Sequence, residues 1–137
     1  MICMINIRLS VAIHVLSLIS TDSTLSSEKI ASSVNTNPVV IRRISSDLKK
    51  AGILTSKVGV PGSSLTRDPS DITLFDIYKA VHLEKELFPI HNNPNPDCHV
   101  GKKIQHTLNV TFESVQTAME NELKNKTLES VMNHLNE

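Results

Sequence analysis

Aromatic residues, cysteine and glycine are all scarce in this sequence. Among 137 residues there is no tryptophan, one tyrosine, three phenylalanines, two cysteines and four glycines. Two cysteines are too few for a disulfide framework, and this usage is typical of a protein in the reducing cytoplasm. So few glycines leave no phosphate-cradling loop, and the serines and histidines stand in no recognisable catalytic context. We therefore expect a binding protein rather than an enzyme.

A long, uninterrupted apolar run is also absent. The first twenty residues are MICMINIRLSVAIHVLSLIS, in which Arg8 and His14 interrupt the apolar stretch. No small-residue cleavage site follows, and the stretch is too short for a membrane span, so it indicates neither a signal peptide nor a membrane anchor. Its apolar residues recur at helical spacing from Ile5 to Ile19. We predict a core helix here and no membrane partner.

Charge is balanced overall but unevenly distributed. The formal net charge is zero, with fourteen basic and fourteen acidic residues. Residues 26–67 contain seven of the basic residues and only two of the acidic ones. A basic segment on an otherwise acidic chain indicates an anionic partner on one face of the protein.

The segment NTNPVVIRR, residues 35–43, predicts a turn between two short helices. Asn35 can end the first helix in the left-handed conformation, Thr36 or Asn37 can cap the second, and Pro38 suits its first position. The second helix, roughly residues 38–50, has an apolar side of Val40, Ile41, Ile44 and Leu48 and an outward side of Arg42, Arg43, Ser45, Ser46 and Lys49. This pattern is typical of a helix-turn-helix that inserts its second helix into the DNA major groove. A solvated helical hairpin is the alternative.

A β-hairpin is predicted directly after this helix. ILTSKV alternates and is rich in β-formers, GVPGSS is a turn, and LTRDP can return as a second strand. A hairpin in this place is a wing, which contacts DNA beside the recognition helix. DPSDITLFDIYKAV then predicts a further helix with Leu74, Ile77, Tyr78 and Val81 buried.

The second half of the chain predicts a loop and a long amphipathic helix. Residues 84–99 are rich in proline and asparagine, and from residue 100 apolar side chains recur every three or four positions at Ile104, Leu108, Phe112, Val115, Met119 and Leu123. The helix is about 36 Å long, which exceeds what a small domain needs for its own core. We expect a second subunit to cover this stripe, with packing against the first helix as the alternative. The fold is thus mostly α with a small wing: a winged helix-turn-helix at 1–83, a loop at 84–99, and a dimerisation helix with a C-terminal helix at 100–137.

The segment NPVVIRRISSDLKKAGILTSKVGVPGSSLTRDPSDITLFDIYKAV resembles the Rrf2 family of bacterial winged-helix transcription regulators. The resemblance extends from the first helix through the long helix. SVNTNPVV, NPNPDC, VGKKIQ and VMNHL further resemble one branch of that family. The resemblance implies a homodimer with crossed long helices that binds an inverted repeat in double-stranded DNA. We expect this homodimer to act as a repressor. A protein-interaction module on the same scaffold, without sequence-specific DNA binding, is the alternative.

The resemblance to the family implies that this chain binds DNA through the recognition helix, the helix before it and the wing. The wing tip departs from the family, since Gly62-Ser63 stands where Gly-Gly is frequent. The residues expected at or near DNA are Ser26, Ser27, Thr36, Asn37, Val39, Arg42, Arg43, Ser46, Lys49, Lys57, Ser63 and Ser64.

Cluster-binding members of the family carry three cysteines before the long helix, whereas here HNNPNPDCHVGKKIQH offers Cys98 alone. We therefore expect no iron–sulfur cofactor. His91, His99 and His106 are too loosely spaced around Cys98 for a structural metal site, and we expect exposed histidines and no metal. Cys98 at a helix start, with Asp97 as cap, is a redox-sensing candidate. A buried cysteine that only packs is the alternative.

Overall fold

The computed structural model describes residues 2–82 and 88–137 and, apart from residues 2–6, their side chains. The chain divides into two compact units, Met1–Leu83 with Leu123–Glu137, and Glu84–Glu122. The predicted fold class is confirmed: the described residues are mostly helical with one two-stranded antiparallel hairpin. The elements are α1 (Ile2–Thr21), α2 (Ser27–Val34), α3 (Pro38–Lys50), β1 (Leu54–Thr55), β2 (Ser64–Leu65), a 3-10 turn (Pro69–Asp71), α4 (Leu74–Val81), α5 (His99–Lys124) and α6 (Leu128–Leu135).

The first unit is built around the apolar sides of four helices. α1, α3, α4 and α6 each contribute side chains with no exposed surface, among them Leu16, Ile41, Ile44, Ile77 and Leu128. The prediction that the N-terminal stretch is a core helix is therefore confirmed. Its apolar side packs against α2, α3, α4 and α6. Among the described residues no helix is long and apolar enough to cross a membrane.

The apolar side of α3 is narrower than the sequence predicted. Ile41, Ile44 and Leu48 are fully buried, but Val40 is 37% exposed. Successive residues of a helix are rotated by about 100°, so Val40 falls at the edge of the stripe that Ile41 and Ile44 define. The expected burial of Val40 was wrong.

One ion pair connects α3 to the other helices of the core. The Arg8 guanidinium donates to the Asp47 carboxylate at 2.6 Å and, through Nε, to the Val81 carbonyl at 2.9 Å. Arg8 therefore joins α1 to α3 and to the last turn of α4. Both side chains of the ion pair are mostly buried, so the charge of Arg8 is compensated where it lies.

The chain after α5 returns to the first unit. The N–H of Leu128 donates to the Ile72 carbonyl at 2.8 Å, and the N–H of Leu74 donates to the Lys126 carbonyl at 2.9 Å. Leu128 has no exposed surface. The sequence grouped residues 100–137 together, whereas the structure places Leu123–Glu137 with the winged unit. The grouping differs because these hydrogen bonds and the burial of Leu128 hold α6 there.

The second unit consists of most of α5 and the segment before it. The ring of Phe88 lies against that of Phe112, with 5.5 Å between their centroids. Of the predicted loop, residues 83–87 lie outside the described part of the chain, and residues 88–98 contain no helix or strand. No residue of α5, all of which is described, is buried.

Leu128 should be the residue that anchors α6. We expect Leu128→Ala to lower the free energy of unfolding by about 2–5 kcal/mol, because it removes a fully buried side chain and leaves a cavity. The measurement is chemical denaturation followed by circular dichroism. The matched control is Leu135→Ala in the same helix, where the side chain is 68% exposed and the change should stay within about 0.5 kcal/mol. Equal effects at the two positions would contradict the described packing of α6.

Candidate nucleic-acid interface

The turn between α2 and α3 is fixed by hydrogen bonds of its own residues. Asn35 has φ +64° and ends α2 in the left-handed conformation, and the Thr36 N–H donates to the Ala31 carbonyl at 2.9 Å. The Asn37 side chain accepts from the Val39 N–H at 2.8 Å, and Pro38 occupies the first helical position. Of the two predicted caps, Asn37 is therefore the one used. The C-terminus of α2 and the N-terminus of α3 are therefore both capped, which fixes the angle at which α3 leaves the turn.

The outward side of α3 is polar, basic and exposed. It lies opposite the buried stripe of Ile41, Ile44 and Leu48. The exposed residues along it are Val39, Arg42, Arg43, Ser46, Lys49 and Lys50. Lysines at the last turn also suit the negative end of the helix dipole.

A cleft of about 430 Å³ opens beside this side of α3 and collects half of the predicted DNA-binding residues. α2 contributes its N-cap Ser26 and its first residue Ser27, and the Ser26 hydroxyl accepts from the Lys29 N–H at 3.2 Å. The predicted residues that line the cleft are Ser26, Ser27, Arg42, Ser46, Lys49 and Ser63. Hydroxyls, a guanidinium, an ammonium and a helix N-terminus are the groups that bind phosphate.

The remaining predicted residues lie outside this cleft, in two places. Thr36, Asn37, Val39 and Arg43 lie at the turn and along α3. Lys57 and Ser64 belong to the wing, where they and Ser63 line a smaller groove of about 160 Å³.

Arg42 and Arg43 differ in their electrostatic environment. Arg42 lies 3.6 Å from the Glu28 carboxylate of α2, and the two side chains are 56% and 70% exposed. An exposed pair of this kind contributes about 0–1 kcal/mol, so an incoming phosphate can displace the carboxylate. Arg43 forms no ion pair within the part of the chain that the structure describes. Both arginines are exposed, so neither packs against the core.

The wing is positioned by a close contact between two backbone segments. Leu54 pairs with Leu65 and Thr55 with Ser64. Gly62 has φ +86°, and a Cβ atom there would collide with the Ser23 carbonyl oxygen. Glycine is therefore required at this position of the wing, both by its backbone conformation and by the approach of the loop before α2. The departure from Gly-Gly falls on Ser63, which is one of the residues that line the cleft.

The loop that receives Gly62 is held by its own side chains. The Asp22 carboxylate accepts from the Thr24 N–H at 2.9 Å and from the Thr24 hydroxyl at 2.6 Å. Both hydrogen bonds lower the pKa of Asp22, and the bond from the Thr24 hydroxyl has the larger effect. Beyond the wing base, Val58 is fully exposed and Val60 is 58% exposed.

Arg8 and Asp47 were missed as contributors to this interface. Asp47 lies on α3 between Arg43 and Lys49 in the sequence, and its bond to Arg8 of α1 constrains the rotation of the recognition helix. A lone arginine inside an otherwise apolar helix was the available signal, because a charge in a core needs a partner.

Cys98 is exposed and forms the N-cap of α5. Its carbonyl accepts from the Lys102 N–H at 2.9 Å, the first bond of the helix. The backbone N–H groups of Gly101 and Val100 bond its sulfur and lower the pKa of the thiol. The sequence had Asp97 as cap and Cys98 within the first turn, which was wrong. The alternative of a buried cysteine that only packs was also wrong.

A helix-turn-helix followed by a two-stranded wing, with phosphate-binding groups collected beside its recognition helix, defines a winged helix-turn-helix DNA-binding protein. The family model for Rrf2, described as an iron-dependent transcriptional regulator, matches residues 5–134. The chain belongs to the Rrf2 family, and the resemblance stated from the sequence is confirmed. The family consists of transcriptional regulators and not of enzymes.

Individual relatives agree with this assignment. YwnA of Bacillus subtilis (strain 168), named as an HTH-type transcriptional regulator, is 67% identical over 96% of this chain and 99% of its own, and the branch indicated by the four short segments is that of YwnA. A crystal structure of a protein described as DNA-binding is 61% identical, with a TM-score of 0.77 over 91% of this chain and 98% of that one. A transcriptional regulator from Lactobacillus plantarum is 27% identical, with a TM-score of 0.78 over 94% and 89% of the two chains.

The described residues do not fit the iron–sulfur cluster that iron dependence suggests. Such a cluster needs several thiolate ligands, and the segment before α5 supplies only Cys98. Within the described chain, no three histidine, cysteine or acidic side chains are grouped so that they could hold a metal ion.

Arg42 and Arg43 should affect DNA binding differently. Arg42 lines the cleft beside α3, where we predict a phosphate contact, so Arg42→Ala should weaken binding to all sequences and reduce the slope of log K against log salt by about one. Arg43 lies outside the cleft on the exposed side of α3, where we predict a base contact, so Arg43→Ala should cost about 1–3 kcal/mol on the operator and relax specificity there. Fluorescence anisotropy on operator and scrambled duplexes at several salt concentrations measures both effects. Two variants that bind like the parent would mean that another side of α3 faces DNA.

Proposed function

We propose that this protein is a homodimeric repressor that occupies an inverted-repeat operator and responds to the oxidation of Cys98. The cleft beside α3 is the single observation that carries DNA binding. Arg42, Ser46 and Lys49 of the recognition helix meet Ser26 of α2 and Ser63 of the wing around one space. These residues come from three separate stretches of sequence, and a shared phosphate partner explains their convergence.

The apolar stripe of α5 supports a homodimer. Ile104, Leu108, Phe112, Val115, Met119 and Leu123 fall within an arc of about 100° around the helix. None of them is buried, and Val115 is 46% exposed. A second copy of the stripe is a matched partner, because a two-fold axis brings the same residues together from both chains.

A two-fold dimer sets the form of the DNA site. Equivalent recognition helices contact successive major grooves about 34 Å apart, so the site is an inverted repeat. A dimer that covers two neighbouring grooves excludes other proteins from the same stretch of DNA. For this reason we propose repression rather than activation.

Selection of genomic fragments by the purified protein tests this function, together with a matched pair of valines on α5. We expect the parent to enrich a shared inverted repeat. Val115→Glu should give a monomer in analytical ultracentrifugation and lose operator affinity, because the dimer would bury two carboxylates without partners.

Val110→Glu is the control for this substitution. Val110 is 56% exposed but lies roughly opposite the stripe on the same helix, so this variant should remain dimeric and bind as the parent does. A monomeric parent, or fragments that share no repeat, would refute the proposal.

The surroundings of Cys98 support the redox part of the proposal. The thiol is exposed, and two backbone N–H groups stabilise its thiolate. A thiolate attacks peroxide to give sulfenic acid and hydroxide, and a second thiol then converts the sulfenic acid to a disulfide with release of water. The segment directly before α5 holds one cysteine, and the only other cysteine of the chain is Cys3. We propose that the second thiol comes from a small molecule or from the other subunit, with an intrachain pair to Cys3 as the weaker alternative. We propose that oxidation of Cys98, rather than a change at an iron–sulfur cluster, is the signal that alters DNA binding.

Cys98 should react as a thiolate at a lower pH than an ordinary cysteine. In the folded protein the pKa of the Cys98 thiol is lowered, so its thiolate forms at a lower pH than that of an ordinary cysteine. This difference should vanish in denaturant, because unfolding removes the two backbone N–H groups from the sulfur. The measurement is the rate of iodoacetamide alkylation against pH in a Cys3→Ser background, which leaves Cys98 as the sole thiol. Cys98→Ser in the parent is the control for function: peroxide should lower operator affinity in the parent and not in this variant. An identical response of both would exclude Cys98 as the sensor.

A further inference from the structure

Val39 is an exposed apolar side chain in the middle of the charged side of α3. Its side chain is 45% exposed, and it occupies the second position of the helix. At about 100° per residue, Val39 points almost directly away from the buried stripe of Ile41, Ile44 and Leu48. Ser46 shares this direction two turns later, and Arg42 and Arg43 flank it on either side. No role in the core accounts for a branched apolar residue here.

The backbone at Val39 is fixed by a hydrogen bond, and its side chain has little rotamer freedom. Its backbone N–H donates to the Asn37 side chain at 2.8 Å, which fixes the first turn of α3. A β-branched side chain in a helix keeps essentially one χ1 rotamer, so little conformational entropy is lost when it makes a contact. The N-terminal end of a recognition helix is also the part that approaches base edges most closely.

Only one feature of the major groove suits an aliphatic side chain. Every base edge there presents hydrogen-bond donors or acceptors, and thymine alone adds a methyl group at C5. We propose that Val39 reads this methyl group and so selects a T·A pair at one position of each half-site. This inference rests on the proposed function and adds a specificity-determining contact to it.

The test replaces thymine by deoxyuridine, one position at a time, in the selected operator. Deoxyuridine keeps the pairing and the hydrogen-bonding edge and removes only the methyl group. Loss of one buried methyl contact corresponds to about 0.8 kcal/mol, or about a fourfold increase in Kd. The symmetric change in both half-sites should therefore raise the Kd about fifteenfold at the position that Val39 reads.

Two matched variants assign the effect to one side chain. Val39→Ala should bind the thymine and deoxyuridine operators with the same Kd at that position. Val40→Ala removes the same atoms from the next residue, which is 37% exposed and rotated towards the Asp47 side of the helix, and it should keep the full discrimination. Equal unfolding midpoints for the two variants and the parent show that α3 is intact.

The outcomes separate this inference from the function on which it rests. Methyl discrimination that disappears with Val39→Ala and survives Val40→Ala supports the inference. Specific operator binding with no methyl-sensitive position, or with discrimination that survives Val39→Ala, overturns the inference alone. A parent without sequence-specific binding overturns the proposed function and the inference together.

Discussion

Burial of one side of α3 is the constraint on which the rest of the winged unit depends. Ile41, Ile44 and Leu48 have no exposed surface, and α3 packs against α1 and α4 through them. Because this side of α3 is buried in the core, the residues on the opposite side of the helix must face solvent. The Arg8–Asp47 ion pair fixes the rotation of the same helix from its edge. The exposed basic surface of α3 is thus a consequence of packing on the opposite side of the helix.

Basic residues remain exposed around α3 on a chain whose net charge is zero, while acidic residues nearby are paired. Asp47, on the recognition helix itself, is bound by Arg8 of α1, and Asp76 is bound by Arg67 at 3.1 Å. Burial alone would raise the pKa of Asp76, but the hydrogen bonds from Thr73 and Arg67 and the charge of Arg67 together lower it, so Asp76 stays ionised within its capping box. Lys49, Lys50 and Arg43 remain exposed around α3. Local arrangement rather than total charge determines what this surface attracts.

The features predicted from the sequence are those that short-range chemistry determines. Asn35, Asn37 and Pro38 specify a turn through their own side chains and backbone preferences, so both helices beside it were found. The fold class followed from the same local patterns, and the family followed from the resemblance of residues 37–81 to its known members. The exposure of Val40, the bond between Arg8 and Asp47 and the docking of Leu128 depend on residues far apart in the sequence, and no local pattern contains them. Cys98 was placed at the right helix end, but its role as cap depends on loop geometry that the sequence does not encode locally.

The contact between Gly62 and Ser23 separates two tasks within the wing. It joins backbone to backbone, and the only side-chain requirement is the absence of one at Gly62. The side chains of Lys57, Val58 and Val60 therefore take no part in this backbone contact. All three are exposed to solvent. Residues at the tip can be exchanged without a compensating change in the loop that holds the wing. The tip is therefore the part of the wing whose side chains can be redesigned while the scaffold stays the same.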